Sequence, residues 1–308
     1  MKAIVLLNAA AGTLAAMNDD AQTRSVADAL SSAGIDAEIR VVPSDQLSAE
    51  AAKAAASSVD VVIAGGGDGT LSTVAGALAG SAMPLGILPL GTLNHFAKDL
   101  NIPFDLNEAV RVIAAGNIAT IDVADVNGRV FINNSSLGVY PRLVLDRESI
   151  RSRHGLSKWT AMAMAMLKVF HRFPMVEVRL ATSEGTIWRK TPLVFVGNNI
   201  YDLDLLNGGT RARLNRGELS LYIANVQNRW GMLMLILRTG LGRLKQSRDF
   251  NSFALSSCSI KSRRRRLHVA VDGEVIRLSP PLDYQVQASA LRVIVPESAP
   301  GQFPEAAP

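Results

Sequence analysis

Asp60-Val61-Val62-Ile63-Ala64-Gly65-Gly66-Gly67-Asp68-Gly69-Thr70 is the stretch on which the fold turns. An uninterrupted apolar run of strand length reads as a β-strand buried on both faces, the habit of parallel sheets covered by helices. The glycines end it sharply, and Leu71, Val74 and Leu78 at helical spacing begin a helix at once. Outward from this point the same grammar repeats. Lys2 to Asn8 reads as a strand, Ala21 to Ala33 as a helix, Asp36 to Val42 as a strand and Ser48 to Ser57 as a helix. Pro84 to Pro89 is a further short strand, followed by helices over Asn94 to Leu100 and Leu106 to Ala115. Strands alternating with helices predict an α/β domain with a parallel sheet.

Three glycine-containing turns follow separate strands: Asn8-Ala9-Ala10-Ala11-Gly12, Gly65 to Thr70, and Gly91-Thr92-Leu93-Asn94. The carboxyl ends of parallel strands share one edge, so these turns can converge on a ligand. Glycine lets backbone N–H groups approach closely, and a helix N-terminus favours negative charge, so the implied ligand carries phosphate. Thr70 and Thr92 can bond a phosphate oxygen or simply cap their helices. Neither G-x-x-x-x-G-K-[ST] nor a full G-x-G-x-x-G is present. Asp68 among phosphate-directed amides would repel a bare phosphate, so it makes most sense beside Mg²⁺ or a donor hydroxyl.

Composition sets the outer limits. The chain has 308 residues, 48% hydrophobic, which is ample for two domains and excludes a disordered or fibrous protein. Cys258 is the only cysteine, which excludes an intrachain disulfide scaffold and a thiolate zinc cluster and suits a reducing compartment. The apolar run Ala3 to Leu7 is shorter than the ~7–15 residues of a leader's core and reads as a buried strand. No segment approaches the ~18 apolar residues of a membrane span. The net charge of +5 on only 19% charged residues fits anionic ligands or a membrane surface. Aromatic content of 5% and the lack of stacking residues in the arginine run speak against nucleic acid.

From about Ile118 the texture becomes β-branched strands with turns: Ile121-Asp-Val, Val130-Phe-Ile, Met175 to Ala181, Leu193 to Val196, Leu219 to Ala224, His268 to Val271 and Leu291 to Val295. A β-rich second domain is expected, of sandwich type, with helical insertions over Lys158 to Phe170 and Gly231 to Leu244. Asp272-Gly273-Glu274 within it reads by itself as a hairpin turn. Lys261-Ser-Arg263-Arg264-Arg265-Arg266 is either a solvated edge or a contact with anionic lipid. Arg142 to His154 forms a second basic segment ahead of the methionine-rich helix, whose soft side chains suit either core or acyl chains.

Gly-Gly-Gly-Asp-Gly-Thr at 65 to 70, Gly-Thr-Leu-Asn-His-Phe-Ala-Lys at 91 to 98 and Val-Asp-Gly-Glu at 271 to 274 together resemble the diacylglycerol kinase catalytic-domain family, which includes bacterial soluble lipid kinases and sphingosine and ceramide kinases. The resemblance spans about residues 1 to 296. It implies a nucleotide-binding α/β domain and a β-sandwich domain that presents the lipid, with ATP in the cleft between them and Mg²⁺ as its partner. The nucleotide loops then fall on Asn8, Ala9, Ala10, Ala11 and Gly12, on Gly66, Gly67, Asp68, Gly69, Thr70, Leu71, Ser72 and Thr73, and on Thr92. The family's general base falls on Glu274, accepting the proton of a lipid hydroxyl as it attacks the γ-phosphorus. Asp68 would hold Mg²⁺ or polarise the site, and Asp122 matches a carboxylate of the supporting network.

This chain departs from the family at Leu71-Ser72-Thr73, where relatives carry Asn-Glu, at His95, where many carry Asp, and near Val41 and Val42, where a nucleotide-binding threonine is expected. Arg216-Gly217 replaces the Asp-Gly of a structural magnesium loop, and no metal is expected there. The domain expectation is 1–118 nucleotide-binding, 119–296 lipid-presenting and 297–308 a loose tail. Asn133, Asn134, Asn198, Asn199 and Asp202 to Asp204 are candidates for acceptor selection. The leading reading is a cytoplasmic, peripherally membrane-associated ATP-dependent lipid kinase. An NAD kinase and a nucleotide- or lipid-binding pseudokinase stand as alternatives, and the oligomeric state is open, a homodimer included.

Overall fold

The computed structural model describes residues 1–9, 19–154, 157–182, 185–201, 211, 213–226, 228–240 and 250–297. The chain gathers into two compact units. One comprises Met1–Val123, Ala212–Gly217 and Gln287–Pro308, the other Ala124–Arg211 and Glu218–Val286.

The first unit is built from β1 (Lys2–Asn8), α1 (Asp19–Ser32), β2 (Asp36–Val42), α2 (Leu47–Ala55), β3 (Val61–Gly66), α3 (Asp68–Leu78), β4 (Leu85–Pro89), α4 (His95–Asp99) and α5 (Leu106–Ala115). β2, β1, β3 and β4 pair side by side, all parallel. Every residue of β3 is buried, as its unbroken apolar run requires. Ala3–Leu7 is likewise a buried strand, 3% exposed at most. Burial of this kind, worth roughly 1.5–3 kcal/mol per large aliphatic side chain, dominates the unit's stability over any single loop hydrogen bond. Local chemistry sets the helix limits: the Asp105 carboxylate accepts from the Glu108 N–H to start α5, and Gly116 at φ +69° ends it.

This unit is not contiguous in sequence, unlike the expected division at residue 118. The last strand, β16 (Leu282–Ile294), runs parallel to β4 at Val293↔Leu85, and Val295 N–H bonds the Asn117 carbonyl. Leu291 and Val293 are fully buried. A β-branched tail read from sequence looks like part of the β-rich domain, but its residues past Val286 satisfy the open edge of the parallel sheet instead.

The second unit contains β6 (Arg129–Phe131), β7 (Asn134–Gly138), α6 (Val139–His154), α7 (Lys158–Arg172), β8 (Val176–Thr182), β9 (Gly185–Thr191), β10 (Leu193–Asn198), β11 (Leu219–Ala224), α8 (Arg229–Gly240), β12 (Phe250–Leu255), β13 (Ser257–Lys261), β14 (Leu267–Val271) and β15 (Glu274–Leu278). β5 (Ile118–Val126) and β16 contribute residues to both units. One antiparallel sheet runs β12-β11-β10-β7-β14-β15, and a second antiparallel set runs β16-β13-β8-β9. Their inward residues, among them Leu137, Val196, Leu221, Val269, Ile260 and Tyr284, share one core, the arrangement of a sandwich. The buried Tyr284 hydroxyl meets Ser135 Oγ at 3.0 Å.

The two expected helical insertions are present as α7 and α8, with 241–244 of the second outside the described residues. Arg142 to His154, read from sequence only as a basic segment, is helical as part of α6. Its charges mask the period, but Val144 is 7% exposed, α6 packs along α7, and Lys168 of α7 pairs with Asp146 of α6 at 2.5 Å. Among the described residues no helix is long and apolar enough to cross a membrane.

Candidate functional site

The turns after β1, β3 and β4 lie at the carboxyl edge of the parallel sheet, where α/β proteins bind ligands. The second and third are fastened to each other. Asp68 opens α3, and its Oδ1 accepts the Phe96 N–H of α4 at 3.1 Å. Leu90 N–H donates to the Gly66 carbonyl at 3.1 Å. Gly67 and Gly91 touch backbone to backbone, and a Cβ on Gly91 would run into the Gly67 Cα. Glycine at 91 is therefore a matter of space between two loops. Asn94, at φ 50°, holds the third turn from inside: its Oδ1 accepts the Gly91 N–H and its Nδ2 donates to the carbonyls of Pro89 and Gly91.

The first turn joins the same network. Asn8 Nδ2 donates to Thr70 Oγ1 at 3.0 Å, and Ser44 Oγ donates to Asn8 Oδ1 at 3.0 Å. Thr70 is buried and packs over Gly66, so its side chain holds the loops together. Ser44 was not singled out from sequence. It stands two residues beyond β2, and the Pro43-Ser44 step after Val42 is the only signal that could have drawn attention to it. Leu71, on the inner face of α3, is fully buried, while Thr73 Oγ1 donates to the Gly69 carbonyl at 2.9 Å. Gly69 and Thr92 are exposed, and Ser72 is half-buried. Ala9 N–H donates to the Val42 carbonyl, whereas Ala10, Ala11 and Gly12 lie outside the described residues.

Asp122 is 1% exposed, and both of its oxygens are engaged. Oδ2 accepts the Gly217 N–H at 2.7 Å and Oδ1 the Ser289 N–H at 2.9 Å, which ties the Arg216-Gly217 loop and β16 to β5. A carboxylate accepting two amides gains roughly 1.5–3 kcal/mol per bond, enough to account for its burial.

In the second unit Asp272-Gly273 forms the hairpin between β14 and β15, with φ 45° and 86°. Two successive residues with positive φ match the twist of paired strands, and Asp and Gly tolerate that region. The Asp272 carboxylate accepts three amides in a row, Ile132 at 2.9 Å, Asn133 at 2.9 Å and Asn134 at 3.0 Å. Glu274 follows, exposed and paired with Arg129 at 2.9 Å. Of the asparagines offered for acceptor selection, Asn133, Asn198 and Asn199 are buried and Asn134 is half-buried: Arg211 donates to Asn133 Oδ1 and to the carbonyls of Ile132 and Asn198, and Asn198 Nδ2 bonds the Ile132 carbonyl. Arg211, 4% exposed and stacked 5.3 Å from the Tyr201 ring, organises this cluster and carried no sequence signal. Asp202 to Asp204 lie outside the described residues. Arg263 to Arg266 are all exposed in the turn between β13 and β14.

The locked glycine loops and their aspartate are what a comparison with known proteins can test. Residues 2–126 match the family model of the diacylglycerol kinase catalytic domain. The resemblance read from the glycine motifs therefore holds for that family's catalytic domain over the parallel sheet's first four strands. Curated relatives agree over a shorter stretch. A "Probable lipid kinase YegS-like" protein of Klebsiella pneumoniae (strain 342) is 48% identical over 91 residues, 29% of this chain and 31% of the relative. A "Diacylglycerol kinase" of Staphylococcus saprophyticus is 41% identical over 91 residues, 29% of this chain and 30% of the relative. The matched stretch thus spans under a third of those relatives. A solved structure, a diacylglycerol kinase from Bacillus anthracis str. Sterne, superposes with TM-score 0.67 over 96% of this chain and 97% of that one at 17% identity, which shows a shared fold.

Proposed function

We propose that the protein is an ATP-dependent lipid kinase that transfers the γ-phosphate to a hydroxyl of a diacylglycerol-like or sphingoid lipid. The observation that carries this reading is the pair of glycine loops after β3 and β4, pinned to each other and to Asp68, within the stretch that matches the diacylglycerol kinase catalytic domain. Loops fixed before the ligand arrives can present their amides to phosphate without reorganising.

The residues suit a nucleotide that brings its own Mg²⁺. Among the described residues no cluster of three or more acidic, His or Cys side chains could cage a metal, and Asp68 Oδ2 has no partner there. Asp68 would be the one protein carboxylate offered to the ion, which supplies neutralisation of phosphate charge when bound. Gly67, Gly69, Ser72 and Thr92 would position the phosphates. Glu274 would take the proton of the acceptor hydroxyl, with Arg129 holding its carboxylate in place. Arg263, Arg264, Arg265 and Arg266 would rest against anionic lipid, at about 1 kcal/mol per basic residue near the surface, making a cytoplasmic enzyme peripheral to the membrane.

Purified protein with labelled ATP and Mg²⁺, offered diacylglycerol, monoacylglycerol, sphingoid base, ceramide and NAD in parallel, tests the reading. Label is expected in a lipid. Label in NAD alone overturns it in favour of an NAD kinase, and no labelled acceptor with ATP still bound makes the protein a pseudokinase. Glu274→Ala is expected to lower turnover with ATP affinity nearly intact, and unchanged turnover removes Glu274 as the base.

A further inference from the structure

Helix α7 is apolar on two opposite sides. Ala161, Ala165 and Val169, four residues apart, form its buried side, while Met164 and Leu167, flanked by Met166, face outward and are exposed, Leu167 at 68%. Phe170, the next outward position, meets Trp230 of α8 edge to face at 5.9 Å and carries the apolar surface across to the second helix. There Trp230, 68% exposed, and the exposed Met234 stand one turn apart, opposite the buried Met232. A helix that is apolar all round is either buried or in contact with lipid, and contiguous exposed apolar surface marks an interaction site. The charge on the two helices has one sign. Neither contains an aspartate or a glutamate, whereas Lys158, Lys168, Arg172, Arg229 and Arg238 are basic. Of these, Lys168 is answered by Asp146 of α6. The exposed basic turn Arg263 to Arg266 adjoins the end of α7, since Arg264 Nη2 reaches the carbonyl of Met175, three residues past the helix, at 3.4 Å.

We propose that the outward side of α7, together with α8, is a face that inserts into the acyl region of an anionic bilayer. The inference rests on the lipid-kinase reading for its partner and deepens it: Arg263 to Arg266 attract the headgroups, and the α7–α8 face supplies an apolar hold that salt does not screen. A stripe of Met, Leu, Phe and Trp beside charges that are all basic is the pattern of helices that lie in the headgroup boundary. At fifteen and twelve residues both helices are too short to span a bilayer, so they lie on it. Methionine side chains adapt to irregular acyl packing, and an indole ring, apolar with one N–H, suits the boundary between hydrocarbon and water. A second copy of the chain would instead set one basic face against another, at a cost in Coulomb energy.

Sedimentation of the full chain with vesicles of equal parts phosphatidylcholine and phosphatidylglycerol, without ATP and at low and high salt, tests the proposal. Binding is expected to persist at high salt, because screening removes the arginine contribution and leaves the apolar one. L167Q with W230Q should weaken that salt-resistant binding about a hundredfold, about tenfold or 1.4 kcal/mol for each side chain, with an unchanged melting curve. L167M with W230F should keep most of it, and replacing Arg263 to Arg266 with Ser should remove only the salt-sensitive part. In a chain that retains Trp230 as its one tryptophan, W159F with W188F, fluorescence should be quenched by lipids brominated on their acyl chains. Equal binding by the glutamine pair and the wild type, loss of all binding at high salt, or absence of quenching overturns the proposal. Self-association that the glutamine pair abolishes, with no vesicle binding, overturns it in favour of a second copy. None of these readouts uses phosphoryl transfer. A failed kinase assay with intact vesicle binding therefore sinks the kinase reading alone, and lipid phosphorylation by a chain whose glutamine pair still binds vesicles fully sinks the inserting face alone.

Discussion

Asp272 is the residue whose replacement exposes most about the second unit. Its carboxylate ties the β14–β15 hairpin to the backbone at Ile132, Asn133 and Asn134 through three amide bonds of 2.9 to 3.0 Å, beside the Asp272 N–H that donates to the Asn134 carbonyl at 2.8 Å. Asp272→Asn keeps the shape and tolerates the positive φ of 45°. It leaves an acceptor for the Asn133 and Asn134 amides but turns an NH₂ toward Ile132, so it forfeits one charge-assisted bond, about 2 kcal/mol. Asp272→Ala forfeits all three at about 2 kcal/mol each and adds about 1 kcal/mol of left-handed backbone strain, for a total of about 7 kcal/mol. Hydrogen exchange followed residue by residue separates the two. The asparagine variant should accelerate exchange at Ile132 by about thirtyfold while Asn134 stays protected, and the alanine variant should release all three amides together. Unchanged protection at the three amides in Asp272→Ala would refute the idea that this carboxylate fixes the hairpin, and with it the idea that Glu274 has a defined position.

Other outcomes follow from the same geometry. Gly91→Ala drives a methyl group into the Gly67 backbone and Asn94 Oδ1, which should cost about 1–3 kcal/mol by overpacking and weaken nucleotide binding in the same variant; equilibrium titration with ATP and a melting curve read both. Burial, and then the charge of Asp283, pushes the Cys258 thiol from 9.0 up to about 12. The native thiol is therefore protonated and should resist thiol reagents at pH 8 until denaturant is added. Because the folded value lies above the unfolded one, this group's contribution to stability is complete below pH 9.0 and is lost as pH rises toward about 12. A melting temperature that rises across that alkaline window in the wild type but not in Cys258→Ala would contradict the assignment.

The parallel sheet was legible because each strand is a closed unit of information: Val61 to Ala64 is apolar without interruption and is followed at once by glycines that only a tight turn needs. The limits of β1, β2 and α5 read from sequence coincide with those observed. Helix α6 was illegible for the opposite reason, since Arg142, Arg147, Arg151, Ser149 and Ser152 interrupt its apolar face and only packing against α7 declares it. The return of β16 depends on which edge is left unpaired, a property of the assembled sheet and of no local window. At the site, the glycines and Asp68 announce themselves through their composition. Ser44 and Arg211 do not, because what matters is the distant partner each one meets, Asn8 in one case and Asn133 in the other.

The return of β16 also orders events in time. A chain emerging from the ribosome presents β1 to β4 long before residues 287 to 294 exist, so the β4 edge must wait, unpaired, for the last strand to be made. Asp122 waits with it, since the amides of Gly217 and Ser289 that satisfy its carboxylate arrive about a hundred and about a hundred and seventy residues later. The unit that begins first is thus sealed last, and the segment most exposed to misassembly during synthesis is the one that carries the glycine loops.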